Sequence, residues 1–438
     1  MRLRLNRYLE TARSSLFLVP MLSVAAAVLL GQAGLALDRR LDGSADLPTV
    51  LTSTVDSARA VLTTVAAATI SFAGVAFSVS LLIIQLGSSQ YSPRVVHTLF
   101  RDPFNKRVMG MVVGTFTYSL IVLRSVRSPF EDGGDPVIPN LSVAFAVVLG
   151  VVAILAVVAF INHSAHSMDI SEILQRVSSE AIDDARSDWS SDTKLAAVIA
   201  RTPAPGSSSA IARFDASGWV QQIDLEAMAR CSDAGGTVVL HVAPGRFAVH
   251  GTPICTIIPA PIDESDSQDR ARAAVGLGNT RTTQQDPSYA LRQLADVALK
   301  ALSPGINDPT TAQDAIFHST SVLANLLHRS APPDVIEGPQ GRQLQLEQQP
   351  TPDELVSLTF DEVRRAARHQ PLVCVYLLES LGLLHESLAS RGLDDRLPIL
   401  ETQAALVVAG CESSTALLTA DVALVQEAFR KRFPPRSA

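Results

Sequence analysis

Four long stretches without a charged residue constrain this chain more than any other feature. They lie near the N-terminus and span residues 14–37, 61–86, 108–123 and 141–161. A helix needs about 20 apolar residues to cross a hydrocarbon core about 30 Å thick, with about 17 as the lower limit. The third stretch is short, so Arg107 and Arg124 would have to reach outward from its ends. The sequence predicts four transmembrane helices, with an interfacial or re-entrant helix as the alternative for the third.

Composition supports a membrane location and argues against several soluble classes. Charged residues make up 18% of the chain, against about 25% in ordinary soluble proteins. A net charge of −7 disfavours nucleic-acid binding, which normally needs a basic domain. The four cysteines form no CxxC pair, which excludes a zinc ribbon and gives no sign of a disulfide scaffold; they are Cys231, Cys255, Cys374 and Cys411. We expect the lipid bilayer as partner, no nucleic acid and no cofactor.

Positive charges near the ends of the stretches predict their orientation. The first stretch follows an Arg-rich start, which resembles a signal peptide, but it exceeds the usual apolar region of about 7–15 residues. We therefore predict that the first stretch is a transmembrane helix that is not cleaved. Eight Lys or Arg residues lie on the side of the N-terminus and five on the other side. Because short cytoplasmic loops carry the excess of positive charge, both termini are expected in the cytoplasm.

The second stretch carries a stripe of small and polar residues at spacings that place them on one helix face. The stripe consists of Thr64, Ser71, Gly74, Ser78, Gln85 and Ser88. Small and hydroxylated residues allow close helix packing in membranes, so this face is interpreted either as a packing surface or as the lining of a watery path. The third stretch contains Gly110 and Gly114 as GxxxG, which indicates a helix contact and a weak tendency to oligomerise.

Two histidines follow the fourth stretch. His163, His166 and Asp169 recur every three residues, close enough to one helix face to ligate a metal such as zinc together. The alternatives are a pH-responsive pair of histidines beside the membrane and a plain solvated helix. Without a third, distant ligand, the sequence predicts no metal site here.

The fold class predicted is mainly α, with four transmembrane helices followed by a cytosolic α+β part. The domains are residues 1–165 for the membrane region, 166–210 for a helical connector and linker, 211–260 for a small β-barrel-like module, and 261–438 for a helical C-terminal domain. Strand-like runs separated by Gly-containing turns indicate the β-module. Residues 330–350 are rich in Pro and Gln and are expected to be loose. Four amphipathic helices are expected near 352–368, 371–391, 398–411 and 418–431.

The densest polar motifs surround two Asp-Pro pairs. Arg281 precedes Asp286, and Asn307 precedes Asp308; each Asp is followed by proline. Both aspartates are predicted to cap helices, because Asp is favoured at the N-cap and Pro at the next position. Gly305 is expected to allow the sharp turn before the second helix. A functional alternative brings Arg281 and both helix starts into one polar pocket, in which a buried Arg281–carboxylate network is favoured over a phosphate site.

No catalytic signature stands out in the sequence. The chain lacks a P-loop, GxSxG and HExxH, and its lone GxG at Gly276 and Gly278 lies outside the setting of a dinucleotide-binding turn. Ser303, Asp296 and His318 are the residue types of a catalytic triad, but their spacing gives no geometry. No catalytic residue is assigned, and an enzyme is the less favoured class.

Several of these segments resemble one bacterial family. The matching pieces are LFLVP, AFSVSLLIIQLGSSQYSPRVV, RTTQQDPSYALRQLADVALKALSPGINDPTTA and FDEVRRAA. They resemble a family of uncharacterised bacterial predicted membrane proteins, domain of unknown function 2254. The resemblance implies a multispanning protein of the bacterial inner membrane, and it implies no activity, ligand or catalytic residue.

Three functions from different classes fit these observations. The favoured one is an oligomeric channel-like conduit regulated by a cytosolic domain, because the polar stripe lies in a membrane segment and the spans contain no charged residue. The second is a membrane-anchored structural or signalling scaffold that binds an unknown cytosolic partner. The weakest is a membrane-bound enzyme that uses Arg281, Asp286 and Asp308.

Overall fold

The computed structural model describes most of the chain: residues 18–41, 53–90, 103–127, 138–166, 169–189, 207–331 and 333–434. Two compact units form, one containing the N-terminal apolar helices and the other everything from Ile170 onward. The structure is mainly helical, as predicted. The first predicted stretch and the SSQYSPR block lie partly outside the described residues.

Within the residues that the structure describes, the first unit has a helix over each of the four predicted stretches. These helices are α1 (Leu18–Leu41), α2 (Val55–Gln90), α3 (Pro103–Ser125) and α4 (Asn140–His166). Each extends beyond the C-terminal end of its apolar stretch. The 36 residues of α2 give a helix about 54 Å long at 1.5 Å per residue, well beyond a hydrocarbon core of about 30 Å.

Small residues let α1 and α3 pack closely. A Cβ at Gly110 would lie 2.5 Å from Ser23 Oγ, and one at Gly114 would lie 3.5 Å from the Ser23 carbonyl oxygen. The GxxxG pair therefore contacts α1 of the same chain. Larger residues fill the core of the bundle in two clusters, one containing Tyr118 and the other Val112 and Phe160.

A polar layer joins the end of the bundle where α1 and α3 finish and α2 and α4 begin. Asp38 accepts hydrogen bonds from the backbone amides of Leu141 at 3.0 Å and Ser142 at 3.1 Å. A carboxylate near a helix N-terminus accepts hydrogen bonds from the free amides of the first turn and interacts favourably with the helix dipole. The Arg59 guanidinium donates to the Val126 carbonyl oxygen at 3.1 Å. Through Asp38, α1 therefore supplies part of the N-terminal cap of α4.

The second unit begins with α5 (Ile170–Asp188), followed by two β-sheets. The strands are β1 (Ala210–Arg213), β2 (Gly218–Ile223), β3 (Thr237–Leu240), β4 (Phe247–Ala248), β5 (Pro253–Ile258), β6 (Val275–Gly278), β7 (Val335–Glu337) and β8 (Gln343–Leu346). The larger sheet has the order β1-β5-β3-β8-β7, and the smaller has the order β4-β2-β6. Two short helices, α6 (Leu225–Ala229) and α7 (Glu264–Ala273), lie between strands.

The predicted β-barrel is wrong, because the described strands form two open sheets. The expectation that residues 330–350 are loose is also wrong, because β7 and β8 come from this segment. β8 pairs in parallel with β3, Thr237 facing Gln343 and Leu240 facing Leu346. Leu344 and Leu346 are buried in the core of the sheet. Burial of these leucines explains why a segment of turn-like composition is ordered as strand.

The remaining helices pack around one another. They are α8 (Pro287–Ala301), α9 (Pro309–Leu327), α10 (Pro352–Ala367), α11 (Pro371–Ala389), α12 (Leu397–Glu412) and α13 (Thr419–Arg432), with short 3-10 turns at Pro339–Gly341 and Asp394–Arg396. The last four agree with the predicted amphipathic helices. α5 packs against α8 and α9.

Five helices among the described residues are long and apolar enough to cross a membrane. They are Leu18–Arg40, Val55–Ile83, Pro103–Ser125, Asn140–Ser164 and Pro371–Ala389. The fifth is α11, which packs against α9, α10, α12 and α13. Half of its apolar window is buried, more than in any of the other four. Packing in the second unit accounts for the apolarity of α11, and four spans remain the prediction.

Candidate functional site

The polar stripe of α2 lies on the surface of the chain. We define the polar face of α2 by its exposed members, Thr64, Ser71, Gly74, Ser78 and Gln85. The hydroxyls of Thr64, Ser71 and Ser78 each donate to the carbonyl oxygen four residues earlier, at 2.7, 2.8 and 2.9 Å respectively. A Cβ at Gly74 would meet nothing within 4 Å. The side chain of Ser88 lies outside the described residues. The polar face is therefore not used for packing by the described part of the chain.

The opposite face of α2 holds the helix in the bundle. Its buried residues are Ala58, Leu62, Ala66, Thr69, Ala76 and Ile83. At 3.6 residues per turn, they lie about 180° from the polar face. Large apolar side chains flank the polar face on both sides, each 49–56% exposed: Ile70, Phe77 and Leu81 on one side, Val75 and Leu82 on the other. α2 therefore presents a line of polar residues with exposed apolar side chains on both sides. We call these apolar side chains the margins of the polar face.

The histidines near the end of α4 do not form a described metal site. The His163 ring lies 4.6 Å from the Phe104 ring, measured between centroids. The side chain of His166 lies outside the described residues. Within the ranges that the structure describes, no three His, Cys, Asp or Glu side chains group to hold a metal ion. The pH-responsive interpretation stays a prediction.

Arg281 and Asp286 meet in the second unit. The Arg281 Nε donates to Asp286 Oδ2 at 2.6 Å, and Nη2 donates to Oδ1 at 3.0 Å. The Asp286 side chain is 5% exposed and that of Arg281 is 22% exposed. Asp286 is the N-cap residue of α8 and Pro287 follows it, as predicted, but the Asp286 side chain makes no cap hydrogen bond because the Arg281 guanidinium takes both carboxylate oxygens. The predicted Arg281–carboxylate pair is present.

Two further residues enclose this ion pair. Gly245 has φ +81°, and a Cβ there would lie 2.0 Å from Asp286 Oδ2. The Tyr289 ring lies under the guanidinium, 5.1 Å from its carbon to the ring centroid. Burial raises the pKa of Asp286 above its ordinary value, and the hydrogen bonds and charge of Arg281 oppose that rise. The turn before β4 therefore packs directly against the Asp286 carboxylate at the start of α8.

Gln285 fastens the same motif to the smaller sheet. Its Oε1 accepts from the Ile223 amide at 3.0 Å, and its Nε2 donates to the Ile223 carbonyl oxygen at 3.3 Å. The side chain imitates a strand neighbour at the end of β2. With Gln285, Arg281 and Asp286 all engaged, the first polar motif works as a joint between the sheets and the helices.

Asn307 and Asp308 lie at the other end of α8. Asp308 Oδ1 accepts from the Thr311 amide at 3.1 Å and Oδ2 from the Thr311 hydroxyl at 2.6 Å, which is the predicted cap of α9. These hydrogen bonds lower the pKa of Asp308. The 15 residues of α8 separate this cap from Asp286 by about 22 Å. The structure therefore places the two motifs apart, without a common pocket.

The left-handed turn before α9 falls on an unexpected residue. Asn307 has φ +49°, whereas Gly305 has no positive φ. Asn tolerates this conformation better than most residues. The Gln370 Nε2 donates to Asn307 Oδ1 at 2.8 Å, so the turn is attached to the corner between α10 and α11. The prediction that Gly305 makes the turn is wrong.

Sequence reasoning missed a cleft between α5 and α9. Its volume is about 380 Å³, and its lining residues are Gln175, Ser178, Ser179, Ile182, Asp183, Arg186, Phe317, His318 and Ser321. Ser178 Oγ and His318 Nδ1 are 3.0 Å apart. Burial lowers the pKa of His318 and nearby Asp314 opposes this. The 140 residues between them leave no local signal for the pair.

The triad types named from the sequence do not meet. Ser303 Oγ donates to the Lys300 carbonyl oxygen at 2.6 Å. Asp296 accepts from Arg292 Nε at 2.8 Å. His318 contacts Ser178 instead. Each side chain thus has a different structural partner.

Comparison with known proteins places the chain. Residues 13–382 match the family described as predicted membrane protein (DUF2254). Uncharacterised proteins of Mycobacterium bovis and Mycobacterium tuberculosis are each 31% identical over 362 residues, which cover 81% of this chain and 68% of each relative. No solved structure matches significantly. The resemblance noted from the sequence is confirmed, and the chain belongs to this family of predicted membrane proteins.

Proposed function

We propose that this protein forms a homo-oligomer in the bacterial cytoplasmic membrane and that the polar face of α2 lines a conduit for an ion or small solute. One observation carries the proposal: this face is exposed and lies opposite the face that packs in the bundle. A second copy, lipid or water must therefore meet it. We place both termini in the cytoplasm, as the positive charges predict.

The chemistry of the polar face suits a hydrated path. Each serine or threonine gives its proton to a backbone carbonyl, which leaves the hydroxyl lone pairs as outward acceptors. Gly74 between them adds no side chain. The apolar margins of Ile70 and Leu82 are suited to contacts with neighbouring copies or lipid. No Asp, Glu, Lys or Arg lies in residues 61–86, so the path would be neutral.

The oligomer needs an interface other than the GxxxG pair. Gly110 and Gly114 already contact Ser23 of the same chain. The margins of the polar face remain available, because Phe77 and Leu81 are about half exposed. Copies that met through these margins would turn their polar faces toward a common axis.

The second unit is a candidate regulator because α5 links it to the membrane helices. Three residues separate the end of α4 at His166 from the start of α5 at Ile170. α5 packs on α8 and α9 through buried residues such as Leu174 and Val177. We propose that the second unit regulates the conduit through this short covalent connection.

Cysteine accessibility tests the hydrated path. Ser71→Cys and Ser78→Cys place thiols on the polar face, and Ile70→Cys and Phe77→Cys place matched thiols on its margin. With a charged, membrane-impermeant thiosulfonate reagent, we expect polar-face thiols in the reconstituted protein to react at least about tenfold faster, because thiolate forms in water and not in lipid. The native cysteines are buried, and unsubstituted protein gives the blank.

Flux measurements in liposomes test the conduit itself. Gly74→Trp should reduce flux, since the ring would project into the path, whereas Ile70→Trp on the margin should leave it largely unchanged. If the unsubstituted protein carries no flux at any voltage or pH tried, and the Ser71→Cys and Ser78→Cys thiols stay unreactive, the conduit is refuted. A membrane-anchored scaffold would then be the better account.

A further inference from the structure

Two cysteines from consecutive helices touch in the core of the second unit. Cys374 lies in the first turn of α11 and Cys411 in the last turn of α12. Their sulfur atoms are 3.2 Å apart, and the residues are 1% and 0% exposed. A disulfide needs a separation of about 2.05 Å. The sulfurs therefore need to approach by little more than about 1 Å.

Polar contacts hold the surrounding backbone in place. Cys374 Sγ donates to the Ala367 carbonyl oxygen at 3.3 Å. The amide of Ser414, three residues beyond Cys411, donates to the Cys411 carbonyl oxygen at 3.0 Å. The Ser414 hydroxyl in turn lies 2.7 Å from His369 Nδ1. The end of α12 and the start of α11 are thus positioned from both sides of the sulfur pair.

The sulfur pair lies next to a corner that gathers three connections of the helical part. The residues before α11 include His369, which contacts Ser414 after α12. They also include Gln370, which donates to Asn307 in the turn before α9. The Cys374 amide donates to the Gln370 carbonyl oxygen at 3.1 Å. A covalent bond at the sulfurs would therefore restrain this corner.

We propose that Cys374 and Cys411 are a reversible disulfide site that reacts with small peroxide oxidants and locks the start of α11 to the end of α12. The proposal is independent of the conduit. It assigns a shared role to two cysteines that lie 37 residues apart and that no sequence motif connects.

The chemistry balances with hydrogen peroxide as oxidant. One thiol loses its proton, and its sulfur attacks a peroxide oxygen; the O–O bond breaks, sulfenic acid forms, and the released hydroxide takes up a proton to become water. The second sulfur then attacks the sulfenic sulfur, the S–S bond forms, and the S–O bond breaks to release a second water. Two thiols lose two electrons and two protons, and one peroxide becomes two waters. A small dithiol reverses the reaction by exchange.

Burial controls which reagents reach the pair. The hydrogen-bonded contact with Cys411 and burial both raise the pKa of Cys374, whereas the same contact lowers the pKa of Cys411, so Cys411 is the thiol that attacks the peroxide first. A small peroxide has a better chance of entry than a bulky disulfide. Once one sulfur is oxidised, the other is already in contact with it. Closure to a disulfide should then outpace further oxidation.

Peptide mapping of the full-length protein in detergent tests the site. Arg391 and Arg396 lie between the two cysteines, so trypsin separates them unless a disulfide links the fragments. After peroxide treatment and denaturation, we expect free thiols to fall from four, the total in the chain, to two. A linked pair of peptides should contain Cys374 and Cys411, and dithiothreitol should restore four thiols.

Matched variants separate this pair from the other two cysteines. Burial raises the pKa of Cys231 to about 11 and that of Cys255 to about 12. Cys374→Ser should abolish the linked peptides, whereas Cys255→Ser should leave them intact. Mapping of the unsubstituted protein needs no variant to fold. Four alkylatable thiols after peroxide, or a disulfide found only between Cys231 and Cys255, would overturn the proposal.

Discussion

The carboxylate of Asp286 is held by Arg281 through two hydrogen bonds of 2.6 and 3.0 Å, and no space is left behind it for a side chain at Gly245. Bidentate geometry of this kind fixes direction as well as charge. The turn before β4 packs against this pair at the start of α8.

Breaking this pair should destabilise the second unit. Arg281→Ala leaves a buried carboxylate without its partner, for which losses of about 3–5 kcal/mol are typical. Thermal unfolding of the full-length protein in detergent measures the effect. The control is Arg186→Ala. The Arg186 side chain is 59% exposed and that of its partner Asp183 is 73% exposed, so this substitution should change the free energy of unfolding by no more than about 0.5 kcal/mol. Equal stability of both variants would contradict a structural role for Arg281.

Gly245→Ala should cost more than an ordinary glycine substitution at positive φ. Gly245 and Gly251 have φ of +81° and +83°, but only at Gly245 does a new Cβ meet a neighbour. Gly251→Ala therefore reports the backbone cost alone, about 1–2 kcal/mol. We expect Gly245→Ala to exceed it by at least about 1 kcal/mol because of overpacking. Chemical denaturation of both variants measures the difference, and equal losses would argue against close contact with Asp286.

Asp308→Ala should loosen the start of α9. The loss of an N-cap typically costs about 0.5–2 kcal/mol, and the Thr311 amide and hydroxyl both lose their acceptor here. Thr311→Val removes only the hydroxyl bond and should cost less. Hydrogen exchange at the first turn of α9 checks the order of the two effects. Unchanged exchange in Asp308→Ala would show that the cap is dispensable.

Stability should fall on mild acidification because of His318. Burial lowers its pKa in the folded protein, so the unfolded chain binds the proton more readily. The stability contributed by neutral His318 is present above the unfolded pKa of about 6.5 and is lost as the pH falls from there toward the folded pKa. The charged groups that face it are Asp314 on α9 and Asp183 and Arg186 on α5.

A pH series of melting temperatures tests this expectation. His318→Gln should reduce the decline between about pH 7 and pH 5, and His328, whose pKa burial also lowers, should account for the remainder. The exposed His250 provides the matched control, since His250→Gln should leave the profile as it is. A profile that keeps its full slope in His318→Gln would assign the acid sensitivity elsewhere.

Substitution by leucine should have different effects at two glycines of the membrane helices. Gly110→Leu places atoms against Ser23 Oγ, 2.5 Å from the new Cβ, whereas Gly74→Leu meets nothing within 4 Å. Gly110→Leu should lower the melting temperature of the detergent-solubilised protein by overpacking. Gly74→Leu should spare the fold of the single chain and alter assembly, which light scattering measures. A stable Gly110→Leu variant would contradict the close contact of α1 and α3.

Elements with a local pattern were predictable, and contacts made over long distances were not. The helices over residues 352–432 follow from apolar spacing alone, as do the apolar stretches that became α1–α4. β8 escaped prediction because Gln343 to Leu346 is short and its partner β3 lies about a hundred residues earlier. This pairing joins a strand of the predicted β-module to a strand of the predicted C-terminal domain.

The two Asp-Pro motifs show the same limit at the level of single residues. Their sequences look alike, yet Asp308 caps a helix and Asp286 binds Arg281. The difference depends on Arg281, whose guanidinium takes both carboxylate oxygens of Asp286, and the sequence left the cap and the ion pair open as alternatives. The positive φ of Asn307 replaces the one expected at Gly305, and Gln370 stabilises the asparagine side chain from the corner between α10 and α11.

The carboxylate of Asp38 makes the start of the fourth helix depend on the first. Because it occupies the amides of Leu141 and Ser142, helix four lacks part of its N-terminal cap until helix one stands beside it. Removal of the first helix would leave those donors without this acceptor, so we expect its loss to destabilise the start of the fourth helix.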